Sequence, residues 1–245
     1  MASLRARLAH AITPEAAIEQ GSGAAAIDED HNRLDRLIRQ QQARQALRIW
    51  TNSRCLVTTR RVARLPGFSE AAARSRSVGW PVFARASGGT TVVHRPGMLN
   101  VSQFDIWRSD GTDVVARFAQ FTRKLAGALQ RLGFSASTGP VIGSHCDGRF
   151  NITVDGRKTG GTASLFRQRS GWSGLLSHAT LWIDGNLRDD IAAITRFEGD
   201  MGFKSAYDED AHATLTGSHI TPSRSEQFGN PCGTNGLPSK RTLLL

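Results

Sequence analysis

The sequence predicts an α+β fold, and three observations carry that prediction. One long amphipathic helix is legible between Asp113 and Leu132. Short runs of alternating or β-branched residues stand in groups before and after it. An Asp155-Gly156 pair joins two such runs as a hairpin, because Asp-Gly readily takes the left-handed turn conformation. The order of elements lacks the strict strand–helix alternation of a doubly wound sheet. The sheets are therefore expected to be mixed and mainly antiparallel, with helices packed on them. No internal repeat is visible.

Residues 1–23 read as a poorly packed N-terminal arm ending in Gly21-Ser22-Gly23, residues 24–217 as the main domain, and residues 218–245, rich in Ser, Pro and Gly, as a loose tail. Ile27, His31, Leu34 and Ile38 recur at spacings of 4, 3 and 4, which places them on one helix face. Leu47–Trp50 and Cys55–Thr59 read as two short strands around the polar turn Thr51-Asn52-Ser53. After the Pro66-Gly67 loop, Ser69 is a candidate cap for an Ala-rich helix, with Glu70 near its positive end. Pro81–Ala84, Val92–His94 and Leu99–Ile106 are expected strands. In the central helix Val114, Phe118, Phe121, Leu125, Leu129 and Leu132 form one apolar stripe, and Gly133 suits its C-terminus. Phe150–Val154 and Arg157–Phe166 form the hairpin, followed by a strand over Leu175–Ile183 and a helix over Asp189–Phe197.

A chain of 245 residues holds one large domain or two small ones, and 11 Phe with 5 Trp supply a core. No stretch reaches the roughly 18 apolar residues of a membrane span, so a soluble protein without membrane contact is expected. The formal charge is +10, from 31 Lys+Arg against 21 Asp+Glu. It is dispersed, and Arg60-Arg61 is not followed by a basic run. That suggests a modest steering field, and without interleaved stacking aromatics it argues against nucleic acid. Three cysteines, Cys55, Cys146 and Cys232, lack metal-ligand spacing and are too few for a disulfide framework, which points to a reducing, cytoplasmic setting. Cys55 lies in an expected strand and reads as core. Met1–Pro14 carries Arg and no acids, and reads as a surface helix rather than a leader.

Two segments invite chemistry. In Arg85-Ala86-Ser87-Gly88-Gly89-Thr90-Thr91-Val92-Val93-His94 a glycine pair between strands lets backbone approach a ligand, and Arg85 suits a phosphate or carboxylate. In Asp155-Gly156-Arg157-Lys158-Thr159-Gly160-Gly161-Thr162-Ala163 a strand of glycines and small residues leaves room for something flat or extended, and an inward Lys158 would hold an anionic group. Taken alone, the first segment also reads as a tight loop and the second as a solvated Lys-Arg pair.

Together, and in this order, they resemble the lipoate–protein ligase and octanoyltransferase family, relatives of the biotin–protein ligases. The first motif is matched by Arg85 to His94 and by Gly97-Met98-Leu99-Asn100, the second by Gly148-Arg149-Phe150-Asn151-Ile152 and Gly156 to Ala163, the third by His178-Ala179-Thr180-Leu181-Trp182. The resemblance covers roughly residues 25–215 and implies a biotin/lipoate ligase-like catalytic domain. It implies that Lys158 stabilises the acyl carbonyl or acyl-adenylate charge. Gly88 and Gly89 would floor the channel, with Arg85 facing the anion and Ser87, Asn100, Gly148, Arg149 and Asn151 contributing to the binding site. Gly161, Thr162 and Ala163 would line an acyl tunnel. His94 and His178 would support its wall, with hydrogen-bonded structural roles the simpler reading.

The resemblance implies first a lipoate–protein ligase using ATP and Mg2+ with lipoate, acting on lipoyl-domain acceptor proteins, with an accessory subunit as a further expectation. Departures favour a rival. Ala84 and Thr90 replace an arginine and a glycine, and Asn151 stands where ligases carry an aspartate, a better ligand for a hard cation than an amide. The rival is an octanoyltransferase that needs no such cofactor, takes octanoate from acyl carrier protein and works through Cys146. Asp147 would oppose a thiolate there, and Arg149 and Lys158 would favour one; a cysteine without chemistry is the alternative. Asn230-Pro231-Cys232-Gly233 lies too far from Lys158 to share its site. A third possibility is a non-catalytic lipoate- or acyl-protein-binding module. Lys158→Ala is expected to abolish transfer with the fold intact. Cys146→Ser is expected to abolish only octanoyl transfer, and mass spectrometry of an acceptor domain reads both.

Overall fold

Two long strands, Met98–Arg108 and Trp172–Trp182, carry the fold because their registers bring three separate motifs onto one sheet face. The computed structural model describes residues 3–15, 17–109, 111, 113–146 and 148–218. In chain order the elements are α1 (Leu4–Ile12), β1 (Ile18–Gln20), α2 (Gly23–Arg39), β2 (Arg44–Thr51), β3 (Cys55–Thr59), α3 (Phe68–Ser77), β4 (Val82–Arg85), β5 (Val92–His94), β6 (Met98–Arg108), α4 (Val114–Arg131), β7 (Ala136–Thr138), β8 (Ile152–Val154), β9 (Arg157–Arg169), β10 (Trp172–Trp182) and α5 (Leu187–Asp200). One sheet has the order β1-β2-β6-β10-β9-β8-β7 and the other the order β4-β3-β5. Only β1–β2 and β3–β4 pair in parallel among the described strands. The α+β class with mixed, mainly antiparallel sheets is thus the observed one.

Met98 to Trp107 of β6 are all buried, as a strand covered on both faces must be. One face meets α1 and α4 through Leu99 and Val101 with Phe121, Leu125 and Leu129. The other meets α2 through Phe104 and Ile106 with Leu34, Leu37 and Ile38. The helices follow from their sequences. Asp113 caps α4 by accepting from the amides of Val115 and Ala116, and Gly133 beyond its end takes φ +90. The β8–β9 hairpin turns at Asp155 and Gly156, both at positive φ, as Asp-Gly turns require.

Register then aligns the motifs. Thr180 of β10 lies opposite Asn100 of β6 and Gly161 of β9. His178 lies opposite Ser102 and Ala163. Side chains opposite each other share a face, so all of these look toward the small sheet and α2.

Two expectations need correction. Residues 4–12 and 18–20 are not a poorly packed arm: Leu8 and Ile12 are buried in the main core, Arg131 donates to the Ala11 carbonyl at 2.6 Å, and β1 extends the sheet. Leu4, Leu8 and Ile12 recur every four residues, an apolar stripe that needs a partner. Ser69 does not cap α3; Gly67, at φ +80, precedes the helix. Strands β2 and β3 flank the polar turn as expected, and they belong to different sheets. The expected loose tail lies outside the described residues beyond 218, and so does Cys232.

Gly174 of β10 sits where α2 lands. A Cβ there would lie 2.5 Å from Cγ1 and Cδ1 of Ile38 and 3.0 Å from Cδ1 of Leu34. Gly174→Ala is expected to destabilise the fold by about 1–3 kcal/mol through overpacking, seen as a lower urea midpoint with an unchanged m-value.

Candidate active site

The aligned face forms the floor of a cavity roofed by α2 and the small sheet. It encloses about 600 Å³ of space not filled by atoms, its open mouth included. Its inner wall is apolar and aromatic, with Ile27, Trp50, Val57, Val92 and Leu176, whereas Gly161, Thr162 and Ala163 keep the β9 side low. A Cβ on Gly161 would meet the Lys158 side chain at an ordinary contact distance of 3.9 Å.

Lys158 is fully buried. Its ammonium donates to the carbonyl of His145, a short contact, and to the carbonyl of Cys146 at 3.1 Å. A buried ammonium needs such acceptors, since desolvating an unpaired charge is far costlier. The two carbonyls belong to the loop that precedes β8, and the lysine thereby fixes this loop against the sheet. Cys146 adopts φ +50, unusual for a residue with a Cβ, and its side chain lines the cavity. Asn151 reinforces the loop by donating to the same Cys146 carbonyl at 3.3 Å. Across the cavity Gly89 sits at φ +99, and a Cβ there would be 3.6 Å from the Cys146 sulfur. The glycine pair and the lysine strand, separated by some seventy positions in the sequence, therefore meet at this thiol.

The loop from Arg85 to Thr91 is shaped from within. Arg85 is buried and donates to the carbonyls of Val57, Gly88 and Thr90 at 2.7, 2.9 and 2.7 Å. The expected anion-facing arginine is thus largely committed to its own loop, where it turns the glycines toward Cys146. Burial lowers its guanidinium to about 10, which leaves it charged at neutral pH. Ser87 hydrogen-bonds His178 at 2.7 Å. Asn52 donates to Nδ1 of His94, which fixes Nε2–H as the donor to Thr180, and Thr180 donates to Asn100. Burial first, with Arg85 adding to it, pushes His94 and His178 down to about 3. Both imidazoles are therefore neutral supports of the wall.

Not every expected residue reaches the cavity. Ser87, Gly89, His94, Gly161, Thr162, Ala163 and His178 line it with Arg85, Cys146 and Lys158. Gly88 faces an adjoining groove beside Arg60 and Arg61. Asn100 and Asn151 act through Thr180 and through the Cys146 loop. Gly148 and Arg149 lie outside it, the Arg149 guanidinium packing 4.7 Å above the Phe150 ring. Asp147 lies outside the described residues. Cys55 is core, its thiol pushed up to about 12 by burial. No group of three or more His, Cys, Asp or Glu converges like metal ligands among the described residues.

Sequence reading missed two supports. His212 pairs with Lys158 in a parallel bridge and donates from Nδ1 to the Asp208 carbonyl, so its Nε2 accepts from both the amide and Nδ1 of His145 at 3.1 Å. This holds the residue just before Cys146. Asp30 of α2 also lines the cavity, accepting from Ser102 at 2.6 Å and from Arg48 at 2.8 Å, while Trp50 donates to Ser102 at 3.1 Å. Burial holds the Asp30 carboxyl above the usual carboxylate range. The His145-Cys146 dipeptide was the one available signal for the first support; nothing in residues 205–214 marks the second half of that pair.

The lysine-clamped cysteine loop and the small-residue strand thus face one open-mouthed, largely apolar cavity in an α+β domain. Comparison with known proteins identifies the family. The Lipoyl protein ligase A/B catalytic domain matches residues 28–214, and the chain belongs to that family of enzymes. An octanoyl-[GcvH]:protein N-octanoyltransferase from Kyrpidia tusciae is 35% identical over 143 residues, covering 56% of this chain and 49% of that protein. The lipoate-protein ligase LplJ of Bacillus subtilis is 34% identical over 113 residues, covering 46% and 30% respectively. The match to the Kyrpidia protein spans about half of its length. Among solved structures, a lipoate-protein ligase A bound with ATP superposes with a TM-score of 0.62 at 19% identity, covering 85% of this chain and 78% of that one. That likeness establishes the shared fold. No helix among the described residues is long and apolar enough to cross a membrane.

The lowered histidines set a pH dependence of stability. A histidine held at about 3 when folded and near 6.5 when unfolded binds its proton preferentially in the unfolded chain. The stability is complete above pH 6.5 and is lost as the pH falls toward 3, at about 1.4 kcal/mol per pH unit for each such group. Asp30 and Asp190, raised by burial, act in the opposite sense at the acid end. Urea titrations from pH 7 to 4.5 are expected to show this decline, with a shallower slope in His94→Asn.

Proposed function

We propose that the protein is an octanoyltransferase that carries its acyl group on Cys146 and delivers it to the ε-amine of a lysine on a lipoyl-domain acceptor protein. The observation that carries this reading is the Cys146 loop, whose carbonyl is held by the Lys158 ammonium and whose side chain lines the acyl-sized cavity. The Kyrpidia octanoyltransferase relative supports it. The cavity has the apolar wall and low β9 floor that an eight-carbon chain needs.

Two displacements make up the reaction. The Cys146 thiolate attacks the carbonyl of an octanoyl thioester on a carrier protein; a new C–S bond forms, the carrier's C–S bond breaks, and the departing carrier thiolate takes up a proton. The neutral acceptor amine then attacks the Cys146 thioester. A C–N bond forms, the C–S bond breaks, and the nitrogen's proton passes to the Cys146 sulfur. Negative charge develops on the carbonyl oxygen in both steps. The fixed charge of Lys158 stabilises it without reorganisation, because the lysine is already held by two carbonyls.

ATP-dependent lipoate ligation, which the motifs placed first, becomes the second reading; the LplJ relative favours it. The residues that would meet an adenylate phosphate fit it poorly. Arg85 is committed to three carbonyls and Asn151 to the Cys146 carbonyl.

Octanoyl acyl carrier protein without ATP is expected to acylate Cys146 and then the acceptor lysine, followed by intact-mass spectrometry; Cys146→Ser should do neither. Modification of the acceptor only with lipoate and Mg-ATP, and in Cys146→Ser as well, overturns this reading in favour of ligation. Lys158→Ala should slow transfer by roughly a hundredfold or more. It should also destabilise the fold, because two carbonyls lose their donor at about 1–3 kcal/mol each. The expectation of an unperturbed Lys158→Ala fold is revised accordingly.

A further inference from the structure

A second cavity shares the Gly89 wall with the acyl cavity. It encloses about 590 Å³ including its open mouth, and nothing in the motifs assigns it a role. Glu198, from the last turn of α5, lines it although only 4% exposed. Its Oε2 accepts from the Ser205 hydroxyl and from the Tyr207 hydroxyl, both at 2.6 Å. The Thr90 hydroxyl on the opposite wall is buried and has no partner among the described residues. Phe203, 39% exposed, supplies an apolar lip.

We infer that this second cavity is the port of the acceptor lysine, with Glu198 receiving its ε-ammonium and Tyr207 and Ser205 holding the carboxylate in place. The inference rests on the acyl-transfer reading and names the site where that transfer's second substrate enters. Three features point to a cationic, extended side chain. A buried carboxylate whose neighbours are hydroxyl donors lacks a positive partner within ion-pair distance among the described residues, and a lysine head supplies one. The apolar lip at Phe203 suits the methylene stem of a lysine. The position beside Gly89, the residue that also faces the Cys146 sulfur, leads the amine toward the thioester. The Tyr207 ring, whose hydroxyl bonds Glu198, packs 6.0 Å from that of His145, the residue before Cys146. Burial first, then the bond to Glu198, push that hydroxyl up to about 12, so it stays a donor throughout the working range. Arg61 stands at the exposed rim. There it would meet acidic residues flanking the acceptor lysine and keep a second cation from lingering at the mouth.

Binding the ammonium concentrates and orients the acceptor. One proton then leaves to solvent to give the neutral amine, and the displacement proceeds as described above.

Half-reactions test the inference. In Glu198→Gln the amide oxygen still accepts from Ser205 and Tyr207, but the charge is gone. With octanoyl acyl carrier protein, Cys146 should be acylated at the wild-type rate. Transfer to a lipoyl-domain acceptor should fall roughly ten- to hundredfold, mainly through the acceptor KM, as expected for losing a charged hydrogen bond. Hydroxylamine, a small uncharged nucleophile, should cleave the acyl-enzyme as in the wild type. Unchanged acceptor kinetics overturn the inference, as does a parallel loss of acylation and hydroxylamine cleavage. Should Glu198→Gln fail to fold, Tyr207→Phe must show the same acceptor-specific loss, and its absence overturns the inference equally. If wild-type protein forms no acyl-Cys146, the thioester reading fails on its own. Acceptor KM is then measured with preformed lipoyl-adenylate, where a rise in Glu198→Gln supports the port and no change overturns it.

Discussion

A buried ammonium with two backbone acceptors organises this protein. Lys158 cannot sit without partners in an interior that excludes water, and the partners it takes are the carbonyls of His145 and Cys146. That single choice ties a loop of irregular backbone, with Cys146 at a positive φ, to a regular strand and places Lys158 and Cys146 in the wall of the cavity. The other supports converge on the same loop. His212 holds the residue before the cysteine, Asn151 holds the cysteine's carbonyl, and Arg85 turns Gly89 toward the sulfur. In the proposed reaction the same charge would also face the oxyanion, so removing the side chain would disturb architecture and chemistry together.

Around this centre the polar groups are graded by protonation. Histidines 94, 145 and 178 are kept neutral by burial, with His145 well below its ordinary range because Lys158 adds repulsion. Neutral imidazoles can accept and donate in one chain of bonds, as His94 does between Asn52 and Thr180.

Much of this was legible in the sequence where the signal is local. The central helix, the Asp155-Gly156 hairpin and the two glycine-rich segments follow from spacing and turn chemistry. Even the packed first helix was present as the four-residue recurrence of Leu4, Leu8 and Ile12. What could not be read depends on contacts between distant segments. Whether Arg85 meets an anion or its own loop is decided by where the carbonyls of Val57, Gly88 and Thr90 point. Glu198, Tyr207 and His212 carry no motif of their own. They matter because residues 198–214 return to the cysteine loop, where the Asp208 amide bonds the Gly143 carbonyl.

The strand order has a consequence for how the chain acquires its shape. Strand β6 lies between β2 and β10, so the centre of the sheet waits for partners about fifty residues earlier and seventy later in the chain. Loop closure on that scale precedes any reward from pairing, which makes for high contact order and slow assembly. During synthesis the apolar faces of β2 and β6 emerge well before β10 can cover them. The cavity, lined by residues of β2, β9 and β10 among others, is therefore among the last features to form, and a nascent chain lacks it until most of the domain has left the ribosome.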